Sequence, residues 1–319
     1  MSAKQTESFF RTPQIAIIVI CALIGLLLAL HWRPHGAAAA RMQQGDPINF
    51  LGSGLQGANV ESPTSLQFGP DERLYVAQQD GTIYAYTIQR NGQADYQVMD
   101  TEVINLVKQM PNRDDDGQPN NDKTQRQITG IYVTGTFDTP VLYVASSDWR
   151  IGGGSQGSDK NLDTNSGILS RLTWDSGNGV WDKVDLVRGL PRSEENHSTN
   201  GMALDETTNT LYVMSGGNTN AGAPSAEFAF LTEYALAAAL LTVDLDAIDA
   251  LPTQGSGNTK YKYDLPTLDD PTRANVNGID DPNDPNYDGV DVNDPFGGND
   301  GLNQAKWDPN GPVQVYATG

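Results

Sequence analysis

The hydrophobic and polar positions of this chain fall into three regimes. From Ile15 to Leu30 (IAIIVICALIGLLLAL) sixteen residues form an apolar run. From residue 62 onward, short apolar runs are separated by turns rich in Gly, Pro, Asn and Asp. Between 251 and 308 the chain is mostly polar and acidic. A terminal run that is apolar all round predicts a membrane-directed helix, not a core helix with one buried face. The short runs, alternating in places, predict strands joined by tight turns.

Those runs repeat. One pattern reads SPTSLQFGPDERLYVAQQDGTIYAYTI at 62–88. It returns as QITGIYVTGTFDTPVLYVASSD at 127–148, followed by GILSRLTWD at 167–175. The third copy is HSTNGMALDETTNTLYVMSGG at 197–217, followed by LLTVDLDAI at 240–248. The Leu-Tyr-Val core begins at Leu74, Leu142 and Leu211, 68 and 69 residues apart. A fixed period of this kind marks a repeat architecture, which a β-sandwich does not explain.

Each unit predicts four strands: an apolar strand, the Leu-Tyr-Val strand, a third such as Ile83 to Tyr86, and a more polar fourth such as Trp181 to Val187. Asp80-Gly81, Asn91-Gly92 and Asn178-Gly179 are placed at hairpin turns, where positive φ is needed. The predicted fold class is all-β: a β-propeller of four-stranded antiparallel blades, about three of them present, preceded by an N-terminal hydrophobic helix. Residues 1–43 form the leader and linker, and 44–319 a partial propeller. Its blades lie near 62–110, 125–190 and 197–319, the last with a long acidic insert at 251–308. Residues 311–319 supply the outer strand of the third blade. Propellers close with about four to eight blades, so the remaining blades are expected outside this chain, with apolar flanks left open. After the leader, one stretch reads as helix, FAFLTEYALAAALL at 228–241.

Composition narrows the partners. The formal net charge of −20 argues against nucleic acid and anionic membrane surfaces as ligands. The single cysteine, Cys21, lies in the leader, so the remainder forms no internal disulfide or thiolate metal site. Lys4 and Arg11 precede the apolar run, and Arg33 and the small residues Ala38-Ala39-Ala40 follow it. This fits a cleaved signal peptide and a signal anchor equally well. Either predicts export: periplasmic, extracellular, or anchored through 15–30 on the outer side of the cytoplasmic membrane.

Candidate chemistry centres on 186–220, which holds His197, the only histidine outside the leader. The plainer reading of a lone histidine at a strand mouth is structural. In a propeller, however, residues that open the inner strands line the central channel. Residues 125–129 and 197–201 should therefore meet at one mouth. A neutral imidazole there can act as a general base toward a substrate hydroxyl, with Gln125, Thr199 and Asn200 holding polar ring substituents. Separately, Asp284-Pro-Asn286-Tyr-Asp288-Gly289 matches the first half of a calcium loop. Its twelfth position is Pro295, so Asp291 and Asp294 are the candidates to complete the ligand set; a solvated acidic loop is the plain alternative. Asp114-Asp115-Asp116-Gly117 reads as a solvated turn. Trp149, Trp174 and Trp181 could stack on sugars, although blade tryptophans more often pack between blades. Dinucleotide, P-loop, G-x-S-x-G and H-E-x-x-H motifs are absent.

Three segments carry a resemblance. LVRGLPRSEENHSTNGMAL, TQRQITGIYV and LYVMSGGNTN are similar to segments of the glucose/sorbosone dehydrogenase family, six-bladed propellers that include soluble aldose dehydrogenases using pyrroloquinoline quinone (PQQ). The resemblance covers about residues 50 to 319 and so the N-terminal half of such a propeller. It implies that His197 is the base taking the C1 hydroxyl proton while hydride passes to PQQ. It implies further that Gln125 and Asn218 face the cofactor, that calcium serves the quinone, and that the substrate is an aldose. Asn196 stands where the family often has an acidic residue, and Gly216-Gly217 where it has Gly-Asp. The family's quinone-binding cations come from later blades, so this chain is expected to be inactive as it stands. The rival expectation is a non-catalytic, calcium-binding propeller for cell-surface adhesion or glycan recognition.

Overall fold

The computed structural model describes residues 51–114, 119–151, 162–218, 228, 233, 235–269 and 303–318, with backbone alone at 267–269 and 303–304. Beyond Leu51 and Gly52, these belong to one compact unit, Ser53–Gly319. The leader at 15–30, residues 229–232 and 234 of the helical stretch expected at 228–241, and the calcium-loop residues Asp284, Asn286, Asp288, Asp291 and Asp294 lie outside the described residues. Among the described residues no helix is long and apolar enough to cross a membrane.

The fold is all-β, built of three propeller-like antiparallel blades. Blade one comprises β2 (Pro63–Phe68), β3 (Leu74–Gln78), β4 (Ile83–Gly92) and β5 (Asp95–Ile104). A two-residue β1 (Leu55–Gln56) adds to β5 in parallel. Blade two comprises β6 (Arg126–Gly135), β7 (Pro140–Asp148), β8 (Gly167–Asp175) and β9 (Val180–Leu190). Blade three comprises β10 (Thr199–Asp205), β11 (Thr210–Ser215), β12 (Ala239–Asp244) and β16 (Val313–Thr318). The last strand is thus the outer strand that the sequence pattern predicts, reached across the long insert.

The Leu-Tyr-Val pattern has a consistent orientation. Strand side chains alternate between the two faces of a sheet. In blade two, Leu142 and Val144 join the core shared with blade one, while Tyr143 joins the core shared with blade three. In blade one, Tyr75 points toward blade two. In blade three, Leu211 and Val213 point back toward blade two. Leu and Val therefore face the preceding blade and Tyr the following one. All three positions are apolar because a middle blade is buried on both faces.

The same alternation leaves two uncovered flanks. On blade one, Leu66 and Phe68 share the face of Leu74 and Val76 and are 64% and 59% exposed. On blade three, Met214 and Tyr316 are 52% and 65% exposed, and Tyr316 meets Tyr212 edge-on at 5.3 Å.

Inner strands are stitched through side chains. The Gln67 amide donates to the Val133 carbonyl and accepts from the Val133 N–H, both at 2.9 Å. The Thr129 hydroxyl donates to the Thr199 carbonyl. Gly130 permits the closest approach of β6 and β10, because a Cβ there would collide with the Asn200 carbonyl.

Several local expectations are corrected. Residues 239–241 form the start of β12, paired with β11 and β16, and not helix. The helix, α1 (Leu245–Ala250), begins at Asp244, whose carboxylate caps the Ala247 N–H at 2.9 Å. Leu245 and Ile248, three apart, supply its buried face. In the β4–β5 hairpin the positive φ falls on Ala94 (56°), not on Asn91-Gly92; Gly81 (95°) and Gly179 (67°) take it as expected. The insert is partly structured. Its β13 (Tyr261–Asp264) runs parallel to β9, anchored by Arg188, which clasps Asp264 at 2.6 and 2.7 Å and covers the Tyr261 ring. Its β14 (Thr267–Asp269) pairs with β15 (Asn303–Ala305).

Candidate functional site

His197 sits on the loop that enters β10, and the loop is shaped by Ser193. The Ser193 hydroxyl oxygen accepts from the N–H groups of Asn196 (3.1 Å) and His197 (2.8 Å), and the Ser193 N–H donates to the His197 carbonyl at 2.8 Å. Arg192 anchors the loop from behind. Its N–H donates to the Thr164 carbonyl at 2.8 Å, and its guanidinium donates to the carbonyls of Ser193 and Arg150.

The imidazole is oriented from the other side. Its Nδ1 lies 2.8 Å from the Gly217 carbonyl oxygen. A carbonyl only accepts, so Nδ1 carries the proton and Nε2 is left with the lone pair. The Phe228 ring lies 5.0 Å away, tilted by 47°. Gly216 and Gly217 are small for a reason: a Cβ on Gly216 would come within 2.7 Å of the His197 Cβ, and one on Gly217 within 2.8 Å of Glu233 Oε1.

A cavity of about 330 Å³ opens beside the half-buried imidazole. Asn200, Ser198, Met214 and Glu233 help to line it. The Glu233 carboxylate accepts the Asn218 N–H with both oxygens at 2.9 Å. Of the residues singled out in the sequence, His197 and Asn200 border this cavity, together with Asn196, Gly216 and Gly217, where the chain departs from the family pattern. Thr199 is buried one position away, its hydroxyl oxygen without a hydrogen-bond partner among the described residues. Asn218 is buried beside Gly217. Gln125 precedes β6, its carbonyl accepting from the Asn112 amide at 2.6 Å, and it does not line the cavity.

Sequence reasoning missed Glu233 and a buried polar cluster behind the loop. Glu233 lies in a stretch read as packing helix, with no motif to mark it. In the cluster, Arg126 is fully buried and donates to Asn112, Ser146 and Ser166 oxygens. Burial pulls Arg126 and Arg192 each down to about 10, against the opposing pull of Asp148. Nearby, Arg150 pairs with Asp148 and Asp114. Asp114, read as part of a solvated turn, is therefore in an ion pair. The signal available in the sequence was an arginine inside one mouth segment, at 126, and another five residues before the other, at 192.

PQQ is a quinone carrying three carboxylates. Among the described residues no Lys or Arg lines the cavity, while Glu233 does. A polyanion placed there would meet like charge and find no cation, so these residues do not fit the quinone. The described residues also contain no group of three or more His, Cys, Asp or Glu able to hold a metal ion.

No family model matches the chain, and no curated protein matches it. Solved structures give remote similarity. The calcium structure of a carbohydrate-active enzyme of family AA12 from Trichoderma reesei aligns with a TM-score of 0.40 at 15% identity, over 66% of this chain and 40% of that one. The iodide structure of the AA12 protein gives 0.39 at 15%, over 64% and 44%. A proposed oxidoreductase from Thermus thermophilus, described as glucose dehydrogenase, gives 0.31 at 15%, over 65% and 51%. The chain thus spans less than half the length of the AA12 proteins that it matches.

Proposed function

We propose that the chain is part of an exported, sugar dehydrogenase-like propeller in which His197 takes the proton from a sugar hydroxyl. The observation that supports this reading is the 2.8 Å contact from Nδ1 to the Gly217 carbonyl, which leaves Nε2 basic beside the cavity. Asn200 and Ser198 offer hydrogen bonds to neighbouring hydroxyls of the ring. Ser193 and Arg192 position the loop and do not themselves touch substrate. Completing an oxidation needs a hydride acceptor. The described cavity does not suit PQQ, so no step is assigned to it.

One observation favours a second reading, a propeller that only recognises glycans: a carboxylate, and no described cation, borders the cavity. Aldose titration followed by the imidazole proton resonances of the full chain tests the first reading, since a base must meet the sugar. The chain has three histidines, so His197→Ala assigns the signal. The base reading expects a saturable aldose-dependent shift of the His197 resonance. An unmoved resonance across the aldose panel removes it and leaves glycan recognition. Saturable PQQ binding by the same chain would overturn the poor fit argued above.

A further inference from the structure

At the end of the blades opposite His197, a second cavity of about 530 Å³ opens between blades one and two. That is within the ~300–1,000 Å³ range of small-molecule sites. From the structure we infer that this cavity is a saccharide-binding site, with Trp174 as its stacking platform.

The aromatic wall is built and braced. Trp174, near the end of β8, is partly exposed and borders the cavity. It packs on Trp181 at 5.5 Å with a 59° tilt. Trp181 in turn sits edge-on to Tyr75 at 6.3 Å and donates its indole N–H to Glu102 at 2.8 Å. Phe137, 65% exposed on the β6–β7 turn, borders the same cavity. Trp174 and Phe137 thus present two aromatic side chains to one cavity.

The polar wall is equally fixed. On the β2–β3 turn and strand, Arg73 donates to Asp71 (2.6 Å), Glu102 (2.5 Å) and the Tyr75 hydroxyl (2.8 Å). The Tyr75 hydroxyl donates to Asp71 at 2.8 Å. These contacts hold the groups in place without a ligand. Glu72 is exposed on the same turn and borders the cavity with Thr87.

The chemistry of the walls selects the ligand class. An anion would meet the carboxylates of Asp71 and Glu72. A cation would be attracted by those groups but would face Arg73, which its carboxylate partners keep charged. A wholly apolar molecule would strip water from Glu72 and Thr87 without replacing their hydrogen bonds. A neutral ring with C–H groups on one face and hydroxyls on its rim satisfies both walls: the face stacks on Trp174 and Phe137, and the rim bonds Glu72 and Thr87.

The test is calorimetric titration of the full chain with soluble hexaoses of β-1,4- and α-1,4-linked glucose, and with choline as a cation probe. We expect saturable binding of at least one hexaose. Trp174→Ala should weaken it about tenfold or more. Glu72→Gln and Phe137→Ala, both changes on exposed side chains, should weaken it severalfold without moving the melting temperature. Trp174→Ala should keep the aldose-dependent shift of the His197 resonance, which separates this site from the one at the channel mouth. Absence of saccharide binding, binding indifferent to the Trp174, Glu72 and Phe137 changes, or Trp174-dependent binding of choline alone would each overturn the assignment.

Discussion

The Nδ1 atom of His197 and the carbonyl oxygen of Gly217 lie 2.8 Å apart. This contact joins the loop before β10 to the segment after β11, twenty residues later. It sets the tautomer of the imidazole, and it depends on two glycines that let the segments approach.

Gly216→Ala tests that dependence. The added methyl must clear the His197 Cβ at 2.7 Å and the Ser198 N at 3.2 Å. Both belong to a loop already tied to Ser193 and cannot swing away freely. We expect a stability loss of about 1–3 kcal/mol and the loss of any aldose-dependent shift at His197. Chemical denaturation and histidine NMR read the two effects separately. A variant with wild-type stability and response would show that the close approach is dispensable.

Lys183 and Asp185 form a buried ion pair on β9, 2.6 Å apart, with the Ser170 hydroxyl also donating to Asp185 at 2.7 Å. Burial lowers the lysine pKa, against the pull of Asp185. Removing one partner leaves a charge in the core. Asp185→Ala is expected to cost about 3–5 kcal/mol, whereas Lys183→Met combined with Asp185→Ala should recover much of that loss. Denaturation midpoints of the single and double variants decide this, and additive losses would count against the pair.

Arg171 on β8 reaches α1 through a two-pronged contact with Asp249, at 2.7 and 2.9 Å. The hydrogen bonds from Arg171 hold the Asp249 carboxyl below its ordinary range. A carboxylate with a depressed folded pKa stabilises the fold above its unfolded pKa of about 3.9. That contribution is lost as pH falls through the folded value. Because the carboxylate is 43% exposed, the effect should be only about 0.5–1 kcal/mol. Asp249→Asn should show this deficit at pH 7, with the difference from wild type shrinking as pH falls below the unfolded value and vanishing once it passes the lowered folded value. A pH-independent difference would assign the loss to packing.

Calcium binding is expected at Asp284, Asn286, Asp288, Asp291 and Asp294 on the strength of residue type and spacing. If the ion binds the folded form alone, free calcium at about 100 times its dissociation constant adds about 2.7 kcal/mol. Melting curves with calcium and with chelator should differ accordingly, and Asp284→Asn with Asp288→Asn should erase the difference. Identical curves for the wild-type chain would remove calcium from these residues.

The strands and blades were legible because their cause is local. A blade packed on both faces needs apolar side chains pointing both ways, and Leu74-Tyr75-Val76, Leu142-Tyr143-Val144 and Leu211-Tyr212-Val213 write that need directly into the chain. Asp80-Gly81 and Asn178-Gly179 are local in the same sense, since positive φ is a property of one residue. His197 and Asn200 also stood out, by residue type and by their place at the start of an inner strand.

What tertiary structure decided involves partners far apart in sequence. Ala239 to Leu241 have helix-favouring neighbours, yet β11 and β16 offer open ladder edges on either side, and pairing there overrides local propensity. The parallel attachment of β13 to β9 follows from an open outer edge and the Arg188–Asp264 clasp, neither visible in a local pattern. Glu233 reaches the His197 cavity from the connection between β11 and β12 of the same blade, whereas Trp174 and Phe137 meet Glu72 and Arg73 at one cavity because blades formed by separate repeats stand side by side. Local alternation determines which residues face inward; only the packing of one blade on the next determines which of them meet.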